Sequence, residues 1–323
     1  MSALARETRD TLVMDVDGHL IIDANDAGNR GSSRFLDRER PRFSKRSFIA
    51  CLTGYGDADM INFFDEQGNR VLPAAANKEP CGPGIKAMLD FYDIDYFAPS
   101  SSMHRYNRTD SGWADEYATP VDEHARHFDG GRRTCLPAFV QFDLYTGSYQ
   151  QIHPPANDGP LVAPEEFGDD WSTPLEGKDV EQLRQYLGRV AHLPHSLGHV
   201  NFRVGGKDHV IDINREHKRG VTFETPRQSL MQAVEWNAFD DILIGNFCKT
   251  TLHGDWWGKS GAEALYPHVT PFLTKFGDNG GAYTPAELKA YFEEYLRRGF
   301  TEFSAEPGDQ EMRAALAPYL PAS

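Results

Sequence analysis

Hydrophobic and polar positions alternate with period two over residues 200–204 and again over 207–213, and Gly205-Gly206 joins the two runs. Two glycines between such runs suit a two-residue turn with φ > 0 at both positions, so the pattern predicts a β-hairpin. In that register Val200 faces Ile211 and Phe202 faces His209, on a largely apolar side that should meet a core. The other side sets His199 across from Asp212, Asn201 across from Val210 and Arg203 across from Asp208. One further pair would put Leu197 across from Asn214. A polar face on an antiparallel hairpin is by default a solvent-facing surface. A histidine opposite a carboxylate is also the arrangement of a metal-ligand pair, or of a base held in one tautomer.

The rest of the chain reads as strands and helices in rough alternation. Residues 11–24 are β-rich, either one strand ending at a functional loop or a hairpin turning at Asp17-Gly18. Residues 60–64 read as a strand followed by a turn at 67–69. Residues 83–92 predict a short helix with Pro83 near its start, then a strand over 95–98. Thr119-Pro120 marks the cap and first position of a helix to about Phe128, with His124 and His127 on one face. Alternating runs over 137–145 and 148–153 flank Thr146-Gly147. Residues 154–178, rich in Pro, Gly and acids, read as a surface connection. That connection is the best candidate boundary in a chain otherwise expected to be one catalytic domain over 1–323.

Val180, Leu183, Leu187 and Val190 then form a helical stripe, ended by Pro194. Thr225-Pro226 starts a helix with Leu230, Ala233 and Val234 inward, and residues 242–245 read as a short buried strand. A capping box at 284–287 opens a helix to about Arg298, and a last short helix follows Asp309. The expected class is α/β, with a (β/α)8-like barrel carrying added antiparallel hairpins as one version.

Hydrophobic content of 40% and charged content of 25% are ordinary and leave that class unchanged. The formal charge of -15 does more: it argues against nucleic acid or an anionic membrane as the main partner. Against that balance, residues 30–46 carry Arg30, Arg34, Arg38, Arg40, Arg42, Lys45 and Arg46, and a second cluster holds Arg126, Arg132 and Arg133. Such clusters suit a carboxylate or phosphate of a substrate, or else a solvated face or an ion-pair network. Cys51, Cys81, Cys135 and Cys248 are far apart and form no CxxC, which suggests reduced thiols and a cytoplasmic location. The polar opening MSALARETRD and the lack of any 18-residue apolar run predict neither signal peptide nor membrane span. The expected partner is a small molecule, and a homo-oligomer is left open.

Residues 192–217 hold five of the twelve histidines. His153 ends a predicted strand just before two prolines, and the loop after the 242–245 run carries His253, Asp255, Trp256 and Trp257. Polar groups at a strand's C-terminal end are where α/β enzymes tend to place sites. No GxSxG elbow, P-loop or GxGxxG occurs, which disfavours serine-hydrolase, nucleotide-kinase and dinucleotide readings.

The stretch MDVDGHL resembles two families. Its DxDG is similar to the opening of haloacid-dehalogenase-type phosphatases, which implies Asp15 as nucleophile and Asp17 as acid, with His19 where that family has threonine. Calcium loops share the alternate oxygen ligands, but the twelve-residue pattern is absent. DVDGH, followed by DFYDIDYFAPSS, RYNRTDSGWADEY and QIHPP, also resembles the amidohydrolase superfamily in its aromatic-acid decarboxylase branch, over residues 11–155. That resemblance implies a (β/α)8 barrel whose metal ligands fall on Asp17, His19, His153 and one of His195 or His199. It departs where the family's late strand ends in Asp. Asn246 and Phe247 stand there, and Asp240, Asp241 or Asp255 would have to substitute.

Taken together these features predict a metal-dependent hydrolase or decarboxylase acting on a small anionic organic molecule. A divalent zinc, manganese or iron would sit among Asp17, His19, His153 and one of His195 or His199, polarising a carbonyl or carboxylate or activating water. Asp212, His253 and Asp255 are the candidate catalytic groups, and Arg105, Asn107, Arg126, Arg203 and Trp256 the candidate substrate contacts. Two alternatives stay open. One is a non-haem iron oxygenase built on His199, Asp212 and one more histidine. The other is a non-catalytic scaffold or binding module that kept its histidines for structure.

Overall fold

The computed structural model describes residues 3–8, 11–24, 40–51, 60–72, 80–100, 105–156, 158–190, 193–195, 197–254 and 256, with single positions at 36, 58, 76, 286 and 290. In chain order the strands are β1 (Ala3–Thr8), β2 (Thr11–Val16), β3 (His19–Asp23), β4 (Ser47–Cys51), β5 (Phe63–Phe64), β6 (Arg70–Val71), β7 (Tyr96–Pro99), β8 (Thr134–Cys135), β9 (Val140–Asp143) and β10 (Ser148–Gln151). They continue with β11 (His199–Val204), β12 (Lys207–Asp212), β13 (Gly220–Glu224) and β14 (Lys249–His253). The helices are α1 (Cys81–Tyr92), α2 (Gly177–Gly188), α3 (Arg227–Trp236) and α4 (Phe239–Ile244). The class is mixed α/β, and among the described residues the strands form three open sheets. The chain gathers into two compact units. Unit 1 is Met1–Ala58, Lys78–Arg105 and Glu116–Gly159, and unit 2 is Asp59–Asn77, Tyr106–Asp115 and Pro160–Ser323. The last crossing, at Gly159-Pro160, falls inside the 154–178 connection.

Unit 1 holds a six-stranded sheet in the order β1-β2-β3-β4-β7-β8 and a separate β9-β10 hairpin. The first three strands are antiparallel, and β4, β7 and β8 extend the sheet in parallel. The DVDGH stretch is a hairpin, because Asp17 (φ 52) and Gly18 (φ 84) both occupy the left-handed region that a type I′ turn needs. Leu20, Ile22, Ile49 and Phe97 are buried in this sheet, and α1 buries Ile85, Leu89 and Tyr92. Asp93, left-handed at the end of α1, spreads its carboxylate over Arg40, Arg132 and Arg133.

Unit 2 holds the second six-stranded sheet, ordered β12-β11-β13-β14-β5-β6. Its hairpin turns at Gly205 (φ 59) and Gly206 (φ 73), and His199↔Asp212, Val200↔Ile211 and Phe202↔His209 pair as the alternation predicts. Val200, Phe202, Val221, Phe223 and Leu252 are buried in one core cluster with Leu183, Leu187, Leu230, Phe239 and Leu243 from the helices. The helical stripe at 183–190 and the inward Leu230 and Ala233 are therefore where periodicity put them.

Four expectations need correction. The ladder stops at His199–Asp212, because Asn214 N–H turns back to the Gly198 carbonyl, so Leu197 and Asn214 do not pair. Residues 121–128 form a short 3-10 turn and further turns instead of a helix. His127 has φ 57, and the backbone there lies so close to α1 that a Cβ on Gly82 would meet the Arg126 carbonyl at 2.2 Å. His124 is consequently buried and His127 exposed, so they share no face. Residues 242–244 lie in α4, not a strand, since a short apolar run fits either state. Asn246 (φ 58) turns the chain after α4, its side chain accepting from Ile61 N–H and its carbonyl from Asn62. The strand near His253 is β14, further along. Ala286 and Ala290 are helical; the remainder of the two C-terminal helices expected after 284 lies outside the described residues, as do Arg30, Arg34, Arg38 and Trp257.

Asp179 ties α2 to α3. Only 2% exposed, it accepts the Glu176 N–H at 2.8 Å and two hydrogen bonds from Arg227 at 2.7 and 3.2 Å. Burial opposes its charge, but the Arg227 and Glu176 bonds outweigh burial and hold its carboxyl below the usual range. Its contribution is therefore present above about pH 4 and is lost as pH falls through its depressed value. Asp179→Ala should destabilise unit 2 by about 2 kcal/mol, read as a lower urea midpoint at pH 7. The deficit should shrink at pH 3, and an equal deficit at both pH values would contradict the assignment.

Candidate functional site

The alternation that buries one face of the unit 2 sheet presents polar groups on the other. Strand pairing places Asp212, His199, Gly220 and His253 side by side across β12, β11, β13 and β14. The next row holds Val210, Asn201, Thr222 and Thr251. Gly220 is what lets the row close up. A Cβ there would lie 2.0 Å from His199 Cε1 and 2.3 Å from its Nε2, so the imidazole lies over the glycine. It thereby comes within 5.7 Å, centroid to centroid, of the His253 ring. The indole N–H of Trp256 donates to the Gly220 carbonyl at 3.1 Å and holds this point of the strand.

A hydrogen-bonded chain crosses this face. His253 Nδ1 lies 3.3 Å from Glu66 Oε1, and its Nε2 lies 2.8 Å from the hydroxyl of Thr222. Asn201 Nδ2 donates to that hydroxyl oxygen at 3.2 Å and to Asp208 at 2.9 Å. The Glu66 carboxylate at Nδ1 favours the tautomer protonated there, and in that tautomer the Thr222 hydroxyl donates to Nε2 while its oxygen accepts from Asn201. Thr222 is 4% exposed and Asn201 7% exposed. Asn201 Oδ1 is buried with no hydrogen-bond partner, and this face lines a cleft of roughly 460 Å³. Arg203, paired with Asp208, Arg215, paired with Asp212, and His217 also line it.

His199 is held below the usual histidine range. Burial is the main cause and the His253 ring adds to it, while the carboxylate of Asp212 works the other way. Asp212 itself is held low, first by the Arg215 hydrogen bond. His199 is therefore neutral at pH 7. His199, His253, Asp212 and Glu66 are the donors the face could offer a cation. Among the described residues, no group of three or more His, Cys, Asp or Glu is arranged to hold a metal ion.

The other predicted residues are distributed as follows. Asp17, His19 and His153 belong to unit 1, His195 and His199 to unit 2. Asp17 is exposed in its turn, accepts the Tyr145 hydroxyl at 2.8 Å, and Asp15 accepts the Gly18 N–H at 2.8 Å. His19 is buried against the edge of Tyr145, and His153 is exposed beyond β10. Arg105 donates to the Gly159 carbonyl, Arg126 pairs with Glu123, and exposed Asn107 accepts Val162 N–H through its carbonyl. Trp256 is 4% exposed and committed to Gly220. Asp255 and the side chains of His195 and Asp240 lie outside the described residues. Sequence reasoning missed Glu66, Thr222 and Gly220. A glycine inside a strand was the one available signal, since such a residue often marks a close approach. All four cysteines are free, and burial pushes the Cys248 thiol up to about 12. No described helix is long and apolar enough to cross a membrane.

Comparison with known proteins gives no matching family model, no similar curated protein and no similar solved structure.

Because the folded chain resists protonating His199, the unfolded chain takes that proton first, and this residue costs stability as pH falls below about 6.5. Gly220→Ala should drive the ring off the strand toward solvent and raise its pKa back toward the ordinary value. A titration of the imidazole carbon-bound protons by NMR checks this, and an unchanged His199 curve would contradict the packing.

Proposed function

We propose that the polar face of the unit 2 sheet is the active site of an enzyme that hydrolyses a small anionic organic molecule. The observation that carries this reading is the hydrogen-bonded chain from Glu66 through His253 to Thr222. A carboxylate on Nδ1 fixes the tautomer and leaves the Nε2 lone pair to take a proton, which is the arrangement of a general base. The proton comes from the Thr222 hydroxyl, or from a water in hydrogen-bond reach of the same nitrogen, and the oxygen becomes the nucleophile. His199 lies beside this base. Arg203 and Arg215 supply the positive charge for a substrate carboxylate, sharing it with Asp208 and Asp212.

A second reading keeps the metal. Two imidazoles and a carboxylate are the donor types of zinc, manganese or iron; His199, His253 and Asp212 share one row but are not arranged around an ion, so they would have to draw together to hold it. Such an ion supplies Lewis-acid polarisation for hydrolysis or decarboxylation, and iron would suit oxygenation. The amidohydrolase-like version, with its (β/α)8 barrel, would run through Asp17, His19 and His153. We favour unit 2 because Tyr145 already engages the Asp17 carboxylate and packs on His19.

Purified protein assayed against anionic esters, amides and aromatic carboxylic acids, with and without chelator, tests these readings. Chelator-resistant hydrolysis is expected, and His253→Gln should lower kcat about 10²–10⁴-fold. Chelator-sensitive turnover with bound metal would favour the second reading. Turnover unaffected by His253→Gln would sink both, and no turnover with retained ligand binding would leave a binding module.

A further inference from the structure

We propose that unit 1 carries a binding site for the phosphate group of a small molecule, built on Lys45, Arg46 and His19. It goes beyond the unit 2 reading and does not rest on it. The three residues line one cavity of roughly 740 Å³, together with Arg40, Arg132 and Tyr145. Four cations and one carboxylate, Asp95, contribute to the lining, in a chain whose formal charge is -15. Asp95 is engaged by Ser47, whose N–H and hydroxyl it accepts at 2.9 and 3.0 Å. Arg40 and Arg132 already give hydrogen bonds to Asp93, so part of their charge is answered.

Lys45 and Arg46 differ. Lys45 Nζ donates to the Asp17 carbonyl at 2.6 Å, and Arg46 Nη1 donates to the Tyr145 carbonyl at 2.6 Å. Carbonyl partners fix the positions of these side chains without neutralising them. Neither forms an ion pair among the described residues; Asp143, on which Arg46 acts through space, is itself held by the backbone of Thr146 and Tyr145, and the Asp17 carboxylate accepts the Tyr145 hydroxyl. The second observation is independent of charge. His19 is 3% exposed, and its Nδ1 is buried with no hydrogen-bond partner. A buried imidazole nitrogen without a partner carries a desolvation cost that a ligand oxygen would relieve.

Gly147 completes the wall. A Cβ there would meet the Tyr96 hydroxyl at 2.5 Å and Arg46 Nε at 2.8 Å, so the β9-β10 turn packs directly on two residues of the cavity. A tetrahedral dianion suits the arrangement better than a planar carboxylate. It offers separate oxygens to an ammonium, a guanidinium and an imidazole N–H, and it carries the second negative charge that two unpaired cations can balance.

Calorimetric titration with inorganic phosphate and with phenyl phosphate, at low ionic strength and against a chloride control, tests the assignment. Saturable one-to-one binding is expected, weakened about tenfold or more by the Lys45→Gln, Arg46→Gln double variant. Equal affinities would point to free phosphate and tighter phenyl phosphate to a phosphate ester; both outcomes support the site. In the unaltered protein, phosphate should slow acetylation of Lys45, read by peptide mass spectrometry, and leave Lys207 unaffected. No saturable binding above the chloride control, undiminished binding in the folded double variant, or equal protection of Lys45 and Lys207 would overturn it.

Discussion

Two imidazoles can share one row of a β-sheet only if something between them gives way, and in this chain the missing side chain of Gly220 does so. Strand β13 runs between β11 and β14, so the residue at 220 separates His199 from His253. Any Cβ would occupy the space that the His199 ring fills. Trp256 clamps the glycine carbonyl from its indole nitrogen, which limits how far the strand can relax. The neutral state of His199, its approach to His253 and the shape of the cleft all follow from that contact.

The polar row is affordable because the other face of the same strands is well packed. Phe202 and Phe223 are fully buried under α4, where Phe239 stacks edge-on against both. Register does the remaining work, since a slip of one residue would turn His199 and Thr222 into the core and Val200 and Val221 out of it. The 160–178 segment is anchored as well. Buried Asp169 accepts from Arg108 at 2.7 Å and from both the backbone and hydroxyl of Ser229. A rigid scaffold of this kind is what lets Glu66, carried on a turn held by Asp65, stay in reach of His253.

How much could be read from sequence depended on whether the determining contacts were local. The 199–212 hairpin was legible to the residue, because two glycines and a strict alternation leave one register. Helices α2 and α3 were legible from their apolar stripes. The α4 run was not, because its few apolar residues fit a strand as well as a helix, and the deciding bonds reach from Asn246 to Ile61 and Asn62. His199 and Asp212 were identified as facing residues, and His253 as a candidate. Glu66 and Thr222 could not be, since position 66 meets position 253 only through the folded sheet. Asp17 and His19 looked like a ligand pair, yet nothing in MDVDGHL announces that Tyr145 would engage both.

The central assignment is that Glu66 fixes His253 as a base with its Nε2 free to accept. Long-range proton–nitrogen correlation spectra of the imidazoles read this directly. The expected result is one His253 tautomer, protonated at Nδ1, which gives way to a mixture in Glu66→Gln. A His253 ring already averaged between tautomers in the unaltered protein, or protonated at Nε2, would contradict it.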